Sequence, residues 1–394
     1  MAVVHPRGGS ARVGVWGMPD PSAPTLAGAA VRALVLPQLF TVAADGRRLP
    51  SLVVPGSDRD GGGGLSASFV LRPGATWSNG APITVEDLRR TADARWVAGL
   101  EGPDPSGRIT VRFTQPMPGW RRLWSDTASI TAPAPDVWGG PFVVAAITPG
   151  LEAVLHRNEK WWGGPAPWLD EVRLVLVPDA TTMRQLFERG ELDVIAPPAS
   201  TNRTALLGQA AHRGAGLVGR GAWDVRLVLN PKRLDDGSRR AIAGLVDWDA
   251  FAGTLLRGEA SAAGGSALGD AAALAVLEGK TVQVSGEIEE PMTGTLERAM
   301  QKRAASAGGA LELRNAESDR VEGWLATGDY DAAVVMAYEP PEGCLSCRDA
   351  GEVVSLWRPD PVVAWRGVEG VEVNGWALSP AWDAASWWRP AGTS

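Results

Sequence analysis

Three histidines, two cysteines and a run of four glycines are the residues here whose types could carry chemistry, and their spacing argues against most of it. His5, His156 and His212 lie far apart, and none has a serine or cysteine nucleophile signature beside it, so each reads as structural. Cys344 and Cys347 form a C-x-x-C pair; with no other cysteine and no histidine nearby, they cannot complete a tetrahedral zinc site. Gly61 to Gly64 is not followed by the Gly-Lys-Ser/Thr of a phosphate loop and reads as a hairpin turn. No Gly-x-Ser-x-Gly elbow, zinc-binding helix or dinucleotide fingerprint occurs. The expectation is a protein that binds without catalysing, with no metal and no cofactor. Tryptophan is the outlier, with 18 residues against two tyrosines and six phenylalanines. Each buries a large area and offers one N–H donor, which suits a cleft gripping a partly apolar ligand, although for any single tryptophan the core is the commoner place.

The elements that would position such residues are clearest between Gly139 and Ala196. Leu151 to His156 alternates as a strand, and Arg157-Asn158-Glu159-Lys160 turns the chain into Trp161-Trp162-Gly163-Gly164-Pro165. Val172 to Val177 is nearly all apolar and predicts a strand buried on both faces. Asp179 stands where an N-cap belongs, Met183, Leu186 and Phe187 fall at helical spacing, and Gly190 is the stop. Leu192 to Ala196 resumes as a strand, so the two strands flanking the helix must run parallel. Upstream, Asn79-Gly80 predicts a tight turn, and Thr84 with Asp87 predicts a near capping box. Ala205 to Arg213 reads as a helix and Asp224 to Asn230 as a strand. Lys280 to Ser285, Leu311 to Leu313 and Asp329 to Met336 then alternate as strands with helices at Thr293 to Ala307 and Asp319 to Ala326, a second α/β lobe.

A length of 394 residues predicts two domains, because single cores stop growing at about 250–300 residues. A hydrophobic fraction of 45% and a charged fraction of 21% are those of an ordinary globular chain, and no run approaches the roughly 18 apolar residues of a membrane span. The net charge of -7, without a basic patch, argues against a nucleic-acid partner. The opening residues, MAVVHPRGGSARVGVWG, contain neither an apolar signal core nor a cysteine for lipidation.

Several blocks resemble the extracellular solute-binding proteins of family 5, which serve peptide, nickel and related ABC importers. Gly140-Pro141-Phe142, Arg157-Asn158-Glu159-Lys160-Trp161-Trp162-Gly163, Leu169-Asp170-Glu171-Val172 and Arg189-Gly190-Glu191-Leu192-Asp193 follow that family's motifs in order. Phe69 to Leu88, FVLRPGATWSNGAPITVEDL, matches its other strong signature, while residues 98 to 138 are shorter than the equivalent region.

The resemblance implies an α/β, two-lobe periplasmic-binding-protein type II fold with a hinge and an interlobe cleft. Lobe I would span residues 1–222 with 361–394 returning to it, and lobe II residues 223–360. It implies a monomeric, extracytoplasmic, non-enzymatic component of an ABC importer that binds a peptide or similar small solute and docks on permease subunits. A divergent, transport-inactive member acting as sensor or scaffold is the alternative. Ligand candidates are Trp223, Asn230, Tyr338 and Glu339, the last standing one position early for the acid with which oligopeptide-binding members pair a peptide's amino terminus. In an exported protein Cys344 and Cys347 are a candidate disulfide, with free thiols the open alternative.

Overall fold

The computed structural model of the chain describes residues 5–15, 17–23, 26–125, 129–164, 167–196, 215–217, 223–247, 251, 260–262, 268–287, 293–316, 318–338, 352–359, 362–372, 374 and 381–390. Two compact units emerge, Met1–Ala196 with Ala364–Ser394, and Pro197–Val363.

In unit one the elements are β1 (Ser10–Val15), α1 (Leu26–Val35), β2 (Phe40–Val42), β3 (Arg48–Pro50), β4 (Arg59–Asp60), β5 (Ser66–Val70), α2 (Val85–Arg90), β6 (Val97–Glu101), β7 (Arg108–Phe113), β8 (Phe142–Thr148), β9 (Glu152–Arg157), β10 (Glu171–Leu176), α3 (Ala180–Arg189) and β11 (Val194–Ile195). The main sheet carries β11, β1, β10, β9 and β8 in that order. β1 runs parallel to both β10 and β11, whereas β9 is antiparallel to β10 and to β8. The two strands flanking α3 are therefore parallel as the sequence predicts, but β1 is inserted between them. Burial along β10 differs from the two-faced expectation: Val172 and Leu174 are sealed, while Arg173 and Val175 are half-buried. The physical reason is Arg173, which pairs with Glu171 and Glu152 on a face that water reaches. Asp179 caps α3 by accepting from the Thr182 N–H at 2.8 Å, and Gly190 closes it in the left-handed region at φ +80°.

A second sheet of unit one orders its strands β4, β5, β7, β6. Gly62–Gly64 makes the tight turn between β4 and β5, with Gly63 at φ +65°. The Phe69–Leu88 block then folds back on itself. Gly80 sits at φ +90°, and the buried Asp87 accepts the Thr84 N–H at 2.7 Å at the start of α2.

Unit two contains β12 (Ala215–Leu217), β13 (Trp223–Leu229), α4 (Asp236–Ala243), β14 (Ala260–Ala262), α5 (Ala271–Leu274), β15 (Thr281–Glu287), α6 (Thr293–Ser306), β16 (Ala310–Ala316), α7 (Ser318–Thr327), β17 (Ala332–Tyr338), β18 (Glu352–Pro359) and β19 (Val362–Trp365), whose last two residues belong to unit one. Six strands line up as β14, β18, β13, β17, β15, β16. β15 is parallel to β16 and β17, while β13 is antiparallel to β17 and β18. Alternation divides the side chains between two cores. Val225, Leu227, Val282, Val284, Ala332 and Val334 pack with Leu296 and Met300 of α6, and Val228, Ala333 and Val335 pack with Val321 of α7. No described helix is long and apolar enough to cross a membrane.

Candidate ligand-binding site

The motif residues of unit one are used up in holding the backbone. Asn158 is buried; its amide donates to the Gly140 carbonyl at 2.8 Å, and its side-chain oxygen accepts the Lys160 N–H at 3.0 Å. Arg157 donates to the Trp168 carbonyl at 3.2 Å and pairs with Asp170 and Glu159. Trp161 and Trp162 lie with ring centroids 4.5 Å apart, and a Cβ on Gly163 would come within 2.1 Å of the Trp161 ring, so any larger residue here must displace that ring. Three segments, at Gly140, Arg157 to Gly163 and Trp168 to Asp170, are thus tied into one turn, and both polar side-chain atoms of Asn158 are already engaged in it.

Asp193, closing the last motif, is 3% exposed. Its carboxylate pairs with Arg12 at 3.1 Å and Arg389 at 2.9 Å, its N–H donates to the Arg12 carbonyl, and its own carbonyl accepts the Arg366 N–H at 2.8 Å. One residue further on, Val194 pairs with Trp365 and Ile195 with Ala364. The chain therefore leaves unit one and re-enters it as two adjacent antiparallel strands rooted in one buried ion cluster.

In unit two the carboxyl ends of the parallel strands β15, β16 and β17 are Glu287, Ala316 and Tyr338. Antiparallel pairing sets Trp223, the first residue of β13, directly opposite Tyr338. The end of β18 lies on this side too, because Val225 pairs with Trp357 and Leu229 with Glu352. Ligands of open α/β sheets bind beyond the carboxyl ends of the strands, so this edge is the candidate site.

Of the residues the sequence nominated, the structure brings Trp223 and Tyr338 together and sets Asn230 apart. Asn230 follows the far end of β13, seven residues or about 23 Å from Trp223 at the ordinary rise of a strand. It is buried, its amide donates to the carbonyls of Gly328 at 3.1 Å and Tyr330 at 2.9 Å, and its oxygen accepts the Lys232 N–H at 3.0 Å. Glu339, Cys344, Cys347 and His212 lie outside the described residues, as does the helix expected from Ala205 to Arg213. His5 stacks on Trp388 at 3.6 Å, and His156 lies 3.4 Å from Glu171 on an exposed strand face. No group of His, Cys, Asp or Glu that could hold a metal occurs among the described residues.

One group at this edge escapes sequence reasoning. Glu297, on the second turn of α6, is fully buried; Oε2 accepts the Asn315 amide at 2.6 Å, and Oε1 has no hydrogen-bond partner. Burial pushes its carboxyl up from the ordinary glutamate range, and the Asn315 bond with the charge of Arg298 recovers only part of that shift. The available signal was the stripe Leu296, Met300, Ala304, which places position 297 beside the buried face.

Comparison with known proteins follows the same lines. The profile of the bacterial extracellular solute-binding proteins, family 5 Middle, matches residues 61–276, more than half of the chain. The probable monoacyl phosphatidylinositol tetramannoside-binding protein LpqW of Mycobacterium tuberculosis is 28% identical over 262 residues, which cover 57% of this chain and 41% of that protein. The chain thus spans about two fifths of the length of that relative. Among solved structures, the oligopeptide-binding protein AppA of Bacillus subtilis, in complex with a nonapeptide, superposes with a TM-score of 0.79 at 14% identity, over 98% of this chain and 99% of that one. A substrate-binding protein of Microbacterium hydrocarbonoxydans, complexed with 4-hydroxybenzoate hydrazide, gives 0.78 at 16% identity, over 97% and 100%. At such identities these likenesses speak for the fold, which is the two-lobe type II fold of periplasmic binding proteins.

Proposed function

The chain belongs to family 5 of the bacterial extracellular solute-binding proteins, and from that premise we propose that it is the substrate-binding component of an ABC importer, with a peptide or similar small solute as its ligand. The observation that carries the reading is the pairing of Trp223 with Tyr338 at the carboxyl edge of unit two. Tryptophan and tyrosine at paired strand positions are residue types with both apolar area and a polar tip, which is what a partly apolar, partly polar solute needs. Glu339 follows immediately in sequence and is the acid included in this proposed site. Asn230 does not belong to this proposed site, since its hydrogen bonds hold the turn before β17. The peptide complex of AppA supports the ligand class by analogy of fold, and the hydrazide complex of the Microbacterium protein shows that the same fold takes other small molecules.

Native mass spectrometry of freshly purified protein tests the reading. A discrete added mass that vanishes on denaturation, and that is lost when Trp223 and Tyr338 are both replaced by alanine, is the expected result. An added mass that the double variant retains in full would remove this edge from the site.

A further inference from the structure

β8 is the outermost strand of the main sheet of unit one, hydrogen-bonded to β9 along one side. Among the described residues, no hydrogen bond from any other segment reaches the backbone of residues 142–147 along its second side. An open row of backbone donors and acceptors is a template for another strand, and folded chains guard such rows with charge, proline or very short length. The described edge strands of five residues or more are β6, β8 and β16. β6 ends on Glu101, which pairs with Arg112, and β16 carries Glu312 and Arg314. β8 reads FVVAAIT and carries no charge at all.

Its side chains are divided unevenly. Val144 and Ile147 pair with the sealed Leu155 and Ala153 and so lie on the core face, yet both stay half-buried because the sheet stops there. Val143 and Thr148 lie on the opposite face, and Ala145 and Ala146 are both exposed between them. The pairing register shifts between Val144 and Ala146, a β-bulge with Ala145 as the extra residue. The bulge offsets the alternation by one, so that Val144 and Ile147 share a face although they are three positions apart.

We propose that β8 is a homodimer interface, the strand pairing antiparallel with β8 of a second copy of this chain about a two-fold axis between Ala145 and Ala146. The occupant follows from self-complementarity. A strand that meets its own copy must set like faces opposite one another. The bulge allows this about the proposed axis: Val144 falls opposite Ile147 of the second copy, Val143 opposite Thr148, and Ala145 opposite Ala146. Core face meets core face, and the smallest side chains stand at the axis, where the backbones come closest. A charged strand would set its own charges against each other there, and β8 has none. An unrelated partner strand would require neither the neutrality nor this symmetry. Pairing seals Val144 and Ile147 and occupies the open backbone row. The proposal departs from the monomer that the family resemblance implies, and it uses no residue of the proposed ligand site. One strand pair buries less than the roughly 1,200 Å² of a standard interface, so the association is weak and concentration-dependent.

Sedimentation equilibrium of the full chain between about 2 and about 500 μM tests the interface. The wild-type mass should climb from that of one chain toward that of two. Ala146→Lys and Ala146→Glu each set two like charges beside the axis. Each should weaken association at least about tenfold and, because the position is exposed, keep the melting temperature of the dilute protein within about 2 °C of wild type. An equal mixture of A146K and A146E brings opposite charges together and should associate at least as tightly as wild type. Wild type that keeps the mass of one chain at the highest concentration overturns the proposal, as does growth past two chains, which a closed two-fold forbids. Undiminished association of either variant overturns it too. So does a mixture no tighter than its parts, since the substitutions would then act elsewhere than across this axis.

Discussion

Asp193 in unit one and Glu297 in unit two are both buried acids, and their surroundings differ. Asp193 meets two guanidinium groups and ends a family motif, and every neighbour it touches is part of the frame. Glu297 belongs to no motif and meets one neutral amide. Residues that build the frame are saturated by partners inside the chain, so they cannot serve a ligand. A buried polar atom left without a partner, as Oε1 of Glu297 is, raises the cost of the folded state instead.

The comparison is broken most directly at Asp193. Asp193→Ala leaves Arg12 and Arg389 facing each other without their shared carboxylate and should cost about 3–4 kcal/mol of stability in chemical denaturation. A cost below about 1 kcal/mol would mean that the cluster does not hold unit one together. Next in size is Asn230→Ala, which strands the Gly328 and Tyr330 carbonyls and should cost about 2 kcal/mol, with solute affinity unchanged. Lost affinity at full stability would return Asn230 to the site.

The pH dependence sharpens the same contrast. Burial pushes the Asp383 carboxyl up to about 7, against the hydrogen bonds it accepts from the Glu372 N–H and the Trp387 indole. Between the ordinary aspartate value near 3.8 and about 7 the folded chain keeps a proton that the unfolded chain has released. The unfolded state thus binds fewer protons, and stability falls as pH rises through that window. Glu297 is shifted in the same direction and adds to the fall. Melting temperature measured from pH 4 to 8 should decline, and Asp383→Asn should flatten the decline; an unchanged slope would clear Asp383 of it. The smallest effect is expected at an exposed cap, where Asp179→Ala removes the bond to the Thr182 N–H and should cost about 1 kcal/mol in the same denaturation assay.

Much of the frame was legible because its signals are local. The Asp179 cap, the Gly190 stop, the Asn79-Gly80 turn and four strands of unit two, β13, β15, β16 and β17, each depend on a few consecutive residues. Legibility ended where neighbours come from far along the chain. The insertion of β1 between β10 and β11 brings Val13 against Leu174 and Val194, and no periodicity in any of the three segments announces it. Asn230 was grouped with Trp223 because both border one strand, although their separation of seven positions already implies a full strand length. Glu297 was invisible for a different reason. An acid beside an amphipathic stripe reads as a solvated flank until the fold closes over it, and its amide partner is contributed by the next strand.

The root of the Asp193 cluster also sets an order of assembly. Arg12 and Asp193 wait for Arg389, which lies 196 residues beyond Asp193 along the chain. Unit two is one uninterrupted stretch, whereas unit one is split around it. As the polypeptide is synthesised from its amino end, every residue of unit two has been made before the arginine that completes unit one's ion cluster is added. Unit two is thus free to reach its native packing first, and β1 gains its last ion-cluster partner only after unit two has been made.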